Sequence, residues 1–172
     1  MVPPSNPAPT IEPATEADID AVVDCWVRLA VDQRAYGSHV LPEANRATMR
    51  DALLGHRFAD GLLVARLDGD VVGFASFSFE HGALALDATR GVLSNLYVKP
   101  PYRDRGIGSA LLSAVEDALA ERGADVVALE AMATNEAARR FYRRAGYEPY
   151  RISMERSLEQ PAKNDTHSRE DG

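Results

Sequence analysis

The sequence predicts a mixed α/β fold, with a mostly antiparallel central sheet and flanking helices. Three observations carry that expectation. Two β-patterned runs, Leu62–Leu67 and Val71–Phe79, flank Asp68-Gly69, a dipeptide suited to a two-residue hairpin turn. Gly91–Val98 reads as a strand that leads through a short turn into a helix. In that helix Ile107, Ala110, Leu111, Ala114, Val115, Ala118 and Leu119 form one apolar face, and Gly123 supplies the stop. Val126–Ala131 follows as a short, nearly all-apolar run, the pattern of a buried parallel strand. A hairpin followed by strand–helix–strand with a right-handed crossover gives a mixed sheet.

The remaining elements fall in order around these. Met1 to Pro9 is rich in proline and expected to be disordered, leaving one domain over residues 10–158. Ile11–Pro13 forms a short first strand. Thr15 to Asp18 resembles a capping box, and Ile19, Val22, Val23, Trp26 and Ala30 mark a helix to about Val31. A loop covers Asp32–Leu41, and a second helix is expected over Pro42–Phe58, where proline suits a first turn. Glu80–Arg90 is ambiguous, because Ala83 to Leu86 can extend a strand or form a connection. Asn135–Ala145 carries Ala138, Phe141, Tyr142 and Ala145 on one side and ends at Gly146. Tyr147–Tyr150 and Ile152–Ser157 read as closing strands. Residues 159–172 form a polar, aperiodic tail expected to be disordered.

Composition narrows the function. A chain of 172 residues is large enough for one domain with its own core. Its net charge of −7 argues against general nucleic-acid binding, which wants a basic surface, and suits a cationic substrate. The single cysteine, Cys25, lies on an apolar helical stripe and reads as a core residue. His39, His56, His81 and His167 lack metal-ligand spacing, so no metal is expected. No apolar run is long enough for a membrane span, and Met1 to Pro9 lacks the features of a secretory leader. The expected compartment is the cytoplasm.

The chemistry concentrates between Leu96 and Leu112. Gly106 and Gly108 stand where the helix starts, and such a start leaves backbone N–H groups unpartnered at the positive end of the helix dipole. Glycines there admit a phosphate, and Arg103 and Arg105 add positive charge. The same glycines also serve simply to turn the chain. The spacing matches neither a Walker loop, which needs Gly-Lys-Ser/Thr, nor the three-glycine dinucleotide fingerprint. By pattern alone Tyr142 is a core aromatic and Asn135 a helix N-cap. Glu130 stands in an apolar strand, where a carboxylate is costly unless it is paired, exposed at the sheet's end or used as a base.

Two segments, LYVKPPYRDRGIGSALL (Leu96–Leu112) and LEAMATNEAARRFYRRAGYE (Leu129–Glu148), resemble the motifs of the GCN5-related N-acetyltransferase (GNAT) family. The likeness extends over Ile11–Ser157 and is similar in detail to ribosomal-protein N-terminal acetyltransferases. It implies a sheet whose two parallel strands splay apart, and acetyl-CoA as the cofactor in the cleft between them. It further implies that Arg103, Asp104, Arg105, Gly106, Ile107, Gly108 and Ser109 hold the cofactor's phosphates. The backbone of Leu96, Tyr97 and Val98 would meet its pantetheine and thioester, with Asn135 as a further contact. Tyr142 takes the place of the general acid and Glu130 that of the general base. Many members carry an acidic residue where this sequence has Ser94 and Asn95, so water, Glu80 and His81 stay open as proton acceptors. The implied activity is acetyl transfer to a primary amine of a small molecule or peptide, with no nucleic acid or membrane partner. A homodimer is compatible with the resemblance. The other reading is a non-catalytic acyl-CoA-binding module on the same fold.

Overall fold

The computed structural model describes residues 7–159, so the tail and most of the proline-rich segment lie outside the described residues. The strands are β1 (Thr10–Pro13), β2 (Leu62–Leu67), β3 (Asp70–Phe79), β4 (Arg90–Val98) and β5 (Val126–Leu129). The helices are α1 (Ile19–Arg34), α2 (Arg46–Phe58), α3 (Ile107–Glu121) and α4 (Glu136–Arg144). The strands form one sheet in sequence order, β1 to β5. Each pair is antiparallel except β4–β5, which is parallel.

Local chemistry sets the hairpin. Asp68 and Gly69 both take positive φ, 49° and 83°, which matches the right-handed twist of the strands that they join. Two bulges interrupt the sheet, one between Ala65 and Arg66 and one between Ser76 and Phe77. At the second, Asn95 faces Ser76 and Leu93 faces Phe77, so Ser94 is the extra residue on β4. It shifts the alternation of β4. Leu93, Leu96 and Val98 all pack toward α3, whereas Tyr97 packs on the opposite face. Gly73 lets β3 approach β4 closely, since a Cβ there would lie 2.7 Å from the Tyr97 carbonyl oxygen.

Each face of the sheet has its own core. One gathers Ile19, Val22, Trp26, Leu53, Phe74 and Tyr97 under α1 and α2. The other gathers Val72, Phe77, Leu93, Leu111, Val115 and Leu119 under α3, with Phe141, Tyr142 and Tyr147 packed at its margin. The first face is also tied together by charge. Asp18 Oδ2 accepts hydrogen bonds from the Thr15 backbone N–H (2.8 Å), Thr15 Oγ1 (3.0 Å) and Arg66 (2.8 Å). Arg66 also pairs with Glu12 at 2.5 Å, which links β1, β2 and the entry to α1.

The closing strands do not form. Residues 147–158 are irregular, and Tyr150, Ile152 and Met154 are 74%, 82% and 88% exposed. Their alternation specifies a strand-like face, but no neighbouring strand receives it among the described residues, and Pro149 has no N–H to donate. The segment after β3 is likewise irregular, with Leu84 82% exposed. The second helix opens as a 3₁₀ turn, Glu43–Asn45, before α2. The first runs three residues past Val31, to Arg34.

Burial alone would raise the Asp18 carboxyl, but the hydrogen bonds from Arg66 and Thr15 outweigh it and hold the group below its ordinary value of 3.8. A depressed carboxyl stabilises the fold fully above its unfolded value, and the contribution disappears as pH falls through the lower folded value. Asp18→Asn should therefore cost roughly 1–3 kcal/mol at neutral pH. Urea unfolding at neutral pH and below pH ~4 checks this, because the gap between wild type and variant should close in acid.

Candidate functional site

The site begins where two strands stop pairing. β4 and β5 are joined from Arg90 opposite Val126 to Leu93 opposite Leu129, and no further. β4 continues to Val98 paired with β3, and among the described residues no strand covers the other backbone edge of Ser94 to Val98. The chain after β5 leans toward the end of α1: Thr134 Oγ1 donates to the Tyr36 carbonyl at 3.1 Å, and Met132 reaches Gly37. At the apex of the gap, Asn95 Nδ2 donates to Ser76 Oγ at 2.8 Å. Ser76 is fully buried, so this bond satisfies a hydroxyl that would otherwise be costly inside the sheet. In the sequence Asn95 stands out only as a departure from an acidic pattern, and Ser76 carries no functional motif; its one signal is a polar residue within the apolar run Val71–Phe79.

At the far end of the uncovered edge lies the glycine loop. Pro100–Tyr102 forms a 3₁₀ turn, and Asp104 and Gly106 take positive φ, 60° and 80°. Alternation of this kind turns backbone N–H groups inward to make an anion-binding concavity. α3 follows, anchored by Ile107, which is 2% exposed. Ala110 is the first residue of the helix to bond back, to the Gly106 carbonyl at 3.0 Å. The N–H groups of Ile107, Gly108 and Ser109 thus have no intrahelical acceptor. The Cβ position of Gly106 is open, with nothing within 4 Å. A Cβ on Gly108 would instead lie 3.6 Å from the Phe141 ring and 3.9 Å from Val98, so this glycine faces the seam between β4, α3 and α4.

The two arginines behave differently. Arg103 turns back onto β4: its Nε donates to the Val98 carbonyl at 2.8 Å, and its guanidinium lies 5.4 Å from the Tyr97 ring centre and 3.5 Å from Asp32. Arg105 lies over the Tyr102 ring, 5.8 Å from its centre. Both remain exposed beside the loop, as do Asp104 and Ser109.

On α4, Asn135 is the N-cap, and its Oδ1 accepts the Ala138 N–H at 3.1 Å. Tyr142 packs edge-on against Phe141 (5.1 Å) and Tyr147 (5.9 Å). Burial pushes its phenol up to about 12, so it keeps its proton at neutral pH. Tyr147 is occupied, since its hydroxyl donates to Glu116 at 3.1 Å. Of the alternatives open for Glu130, the structure has exposure at the sheet's end, because the strand stops two residues short of Ala131. β5 ends at Leu129, so Glu130 lies past the strand, exposed and without a hydrogen-bond partner among the described residues. Glu80 is paired with Arg90 at 2.8 Å, at the opposite end of β4 from the glycine loop, and His81 is exposed. Cys25 is buried, and burial raises its thiol, so it is no nucleophile.

A strand edge left open by β5, a loop of alternating backbone hand at its end and a phenol that keeps its proton on the adjoining helix stand together where the sheet parts. Residues 26–147 match the acetyltransferase (GNAT) family, and the chain belongs to that family. Over 139 residues it is 39% identical to a mycothiol acetyltransferase of Clavibacter sepedonicus, covering 77% of this chain and 41% of that protein. It is 35% identical over 86 residues to an uncharacterized N-acetyltransferase of Archaeoglobus fulgidus, covering 50% of this chain and 58% of that one. The chain thus spans between two fifths and three fifths of the length of these relatives. Among solved structures, a GCN5-related N-acetyltransferase from Ralstonia eutropha aligns with a TM-score of 0.69 and 26% identity, over 87% of this chain and 98% of that one. An aminoglycoside N-acetyltransferase in complex with CoA shares the fold, with a TM-score of 0.67 and 19% identity over 92% and 99% of the two chains.

The raised phenol gives a direct check. In a spectrophotometric titration, the difference between wild type and Tyr142→Phe should contain one tyrosine whose midpoint lies above the ordinary 10, toward 12, while the protein stays folded.

Proposed function

We propose that this protein is an acetyl-CoA-dependent N-acetyltransferase that acts on a primary amine of a small molecule or peptide. The observation that carries the reading is the parting of β4 from β5 beyond Leu93 and Leu129, with the glycine loop at its end. The residues present fit the cofactor. Among the described residues the first-turn N–H groups of α3 have no partner, the space over Gly106 is open, and Arg103 and Arg105 flank the loop. Bound acetyl-CoA supplies an activated acetyl group as a thioester. The N–H groups of Ile107, Gly108 and Ser109 would hold its phosphates, with Asp104, Arg105 and Gly106 shaping the loop. The uncovered backbone of Leu96, Tyr97 and Val98 would align the cofactor and polarise the carbonyl. Because Arg103 now bonds the Val98 carbonyl, it is the residue that must shift, or share that acceptor, on binding.

The proton inventory follows from the side chains. An alkylamine is mostly protonated near pH 7 and must lose that proton before it attacks. Tyr142 carries the proton that the departing sulfur requires, and the apolar packing of its ring keeps the phenol neutral. The exposure of Glu130 supports water as the first acceptor of the amine's proton, with Glu130 receiving it from solvent at the mouth of the cleft. The resemblance of the chain to a mycothiol acetyltransferase supports a small-molecule amine within this class. Asn95 and Ser94 in place of an acidic residue favour the second reading, a cofactor-binding module without turnover.

Two experiments test these assignments. Gly108→Ala fits the available space, whereas Gly108→Val crowds Phe141 and Val98. Calorimetry should show near-normal acetyl-CoA affinity for the alanine protein and at least ~10-fold weaker binding for the folded valine protein, about 1.4 kcal/mol. With an amine found by a thiol-release screen, Tyr142→Phe should lower the rate ~10²-fold or more at little cost in cofactor affinity. Glu130→Gln should leave most activity at alkaline pH, where the amine is already neutral, and lose part of it near pH 7. An unchanged rate in Tyr142→Phe, with chemistry limiting, removes the acid role. CoA binding with no turnover of any amine selects the module.

A further inference from the structure

On the acetyltransferase reading, on which this inference rests, the attacking nitrogen has to be neutral, and the groups beside the gap decide how it becomes so. The carboxylates are placed for solvent or for each other's cations. Glu130 is exposed past the end of β5, and Glu80 is paired with Arg90 at the far end of β4. The polar group fixed at the apex is instead an amide. Asn95 Nδ2 donates to Ser76 Oγ at 2.8 Å, and Ser76 is 0% exposed, so the side chain is anchored from inside the sheet. Asn95 itself is half-buried, and its Oδ1 has no hydrogen-bond partner among the described residues.

Faces and charges agree with a contact to an uncharged nitrogen. Ala75 and Phe77 pack under α3, so Ser76 between them points toward α1 and α2. Tyr97, two residues beyond Asn95, belongs to the core on that side. The amide thus stands on the α1 side of β4, across the strand from α3. Around the Tyr97 phenol are Arg28 and Asp32 from α1 and Arg103 from the loop, and Arg28, Lys99 and Asp24 act on Cys25. Asp24 already pairs with Arg46, and Asp32 with Arg103, which leaves Arg28 and Lys99 without a carboxylate among the described residues. From α2, His56 Nδ1 donates to the Phe77 carbonyl at 3.0 Å. Such surroundings favour a neutral amine over an ammonium.

We propose that Asn95, positioned by Ser76, selects the acceptor: its Oδ1 receives an N–H of an amine that arrives neutral, so the substrate is a weakly basic amine. Such an amine sits beside an electron-withdrawing group, as in a peptide α-amine or a 2-amino sugar. An amide oxygen accepts a hydrogen bond but does not take up a proton near pH 7. Only the fraction of amine that is already neutral then reacts. At pH 7 that fraction is about 10% for an α-amine and ~0.04% for a lysine-type alkylamine. As the new N–C bond forms, the nitrogen sheds its surplus proton to water, the Tyr142 proton goes to the departing sulfur, and the phenol is reprotonated from solvent.

Steady-state kinetics with a short α-amino peptide, a 2-amino sugar and an Nα-blocked lysine test this on the full chain. Calorimetry of the same amines on the CoA complex, in which no transfer occurs, supplies a second readout. At pH 7, kcat/KM for the peptide or the sugar should exceed that for the lysine at least ~10-fold, after allowance for the weaker nucleophilicity of a weaker base. Whichever of the two is preferred tells a peptide terminus from a sugar. In the CoA complex, affinity for each amine should rise ~10-fold per pH unit up to that amine's own pKa. Asn95→Asp puts a carboxylate at the same place, and should raise kcat/KM for the lysine at pH 7 at least ~10-fold and flatten both pH dependences. Asn95→Ala and Ser76→Ala, with folding verified by circular dichroism, should weaken amine affinity and leave CoA affinity unchanged. A preference for the alkylamine at pH 7, or a rate indifferent to the amine's pKa, means that a base acts in the gap and overturns the proposal. Unchanged amine affinity in Asn95→Ala overturns it too, because the residue then does not touch the acceptor. No turnover of any amine, with CoA still bound, removes the acetyltransferase reading itself and this inference with it.

Discussion

A strand inside a sheet ordinarily satisfies its backbone groups on both edges. Among the described residues β4 does so only from Arg90 to Leu93, and beyond that it pairs with β3 alone. Everything proposed about chemistry depends on this loss of hydrogen bonds. It leaves donors and acceptors of fixed position, held rigid by β3 and by the side chains of Leu96 and Val98 against α3. Backbone groups on a half-paired strand need no side-chain ordering to act, which makes them well suited to align a flexible ligand.

The opening is supported on several sides. Ser94 bulges at its apex, Asn95 and Ser76 bond to each other behind it, and Thr134 ties the departing chain to Tyr36. At its outer end the positive φ of Asp104 and Gly106 sets the start of α3. The glycine pair does two different jobs. Gly106 supplies a left-handed backbone, and Gly108 removes a side chain from the seam with Phe141. Only the first is a conformational requirement.

Much of the fold is legible in the sequence because its signals are local. Asp68-Gly69 fixes a hairpin by its own turn geometry, and the stripe from Ile107 to Leu119 needs only one apolar surface to settle it. Other features depend on partners that no local pattern names. The alternation from Tyr150 to Met154 correctly marks a face, yet a strand also requires an edge to pair with, and its own sheet does not supply one. Glu130 stands inside an apolar run, but pairing with β4 stops one residue earlier, and that residue decides whether a carboxylate meets protein or water. The return of Arg103 to the Val98 carbonyl and the extra residue at Ser94 are likewise matters of register, on which composition is silent.

The bulge at Ser94 also distributes labour between the two faces of the molecule. By shifting the alternation of β4, it commits Leu96 and Val98 to the core under α3 while Tyr97 belongs to the core under α1. Three consecutive residues beside the gap thus answer to two separate packing environments. Substitutions that reshape α1, α2 and the loop between them can accumulate without disturbing the Ile107–Leu111–Val115 wall, and the reverse holds as well. A chain built this way can remodel one face while the core under the other stays constant.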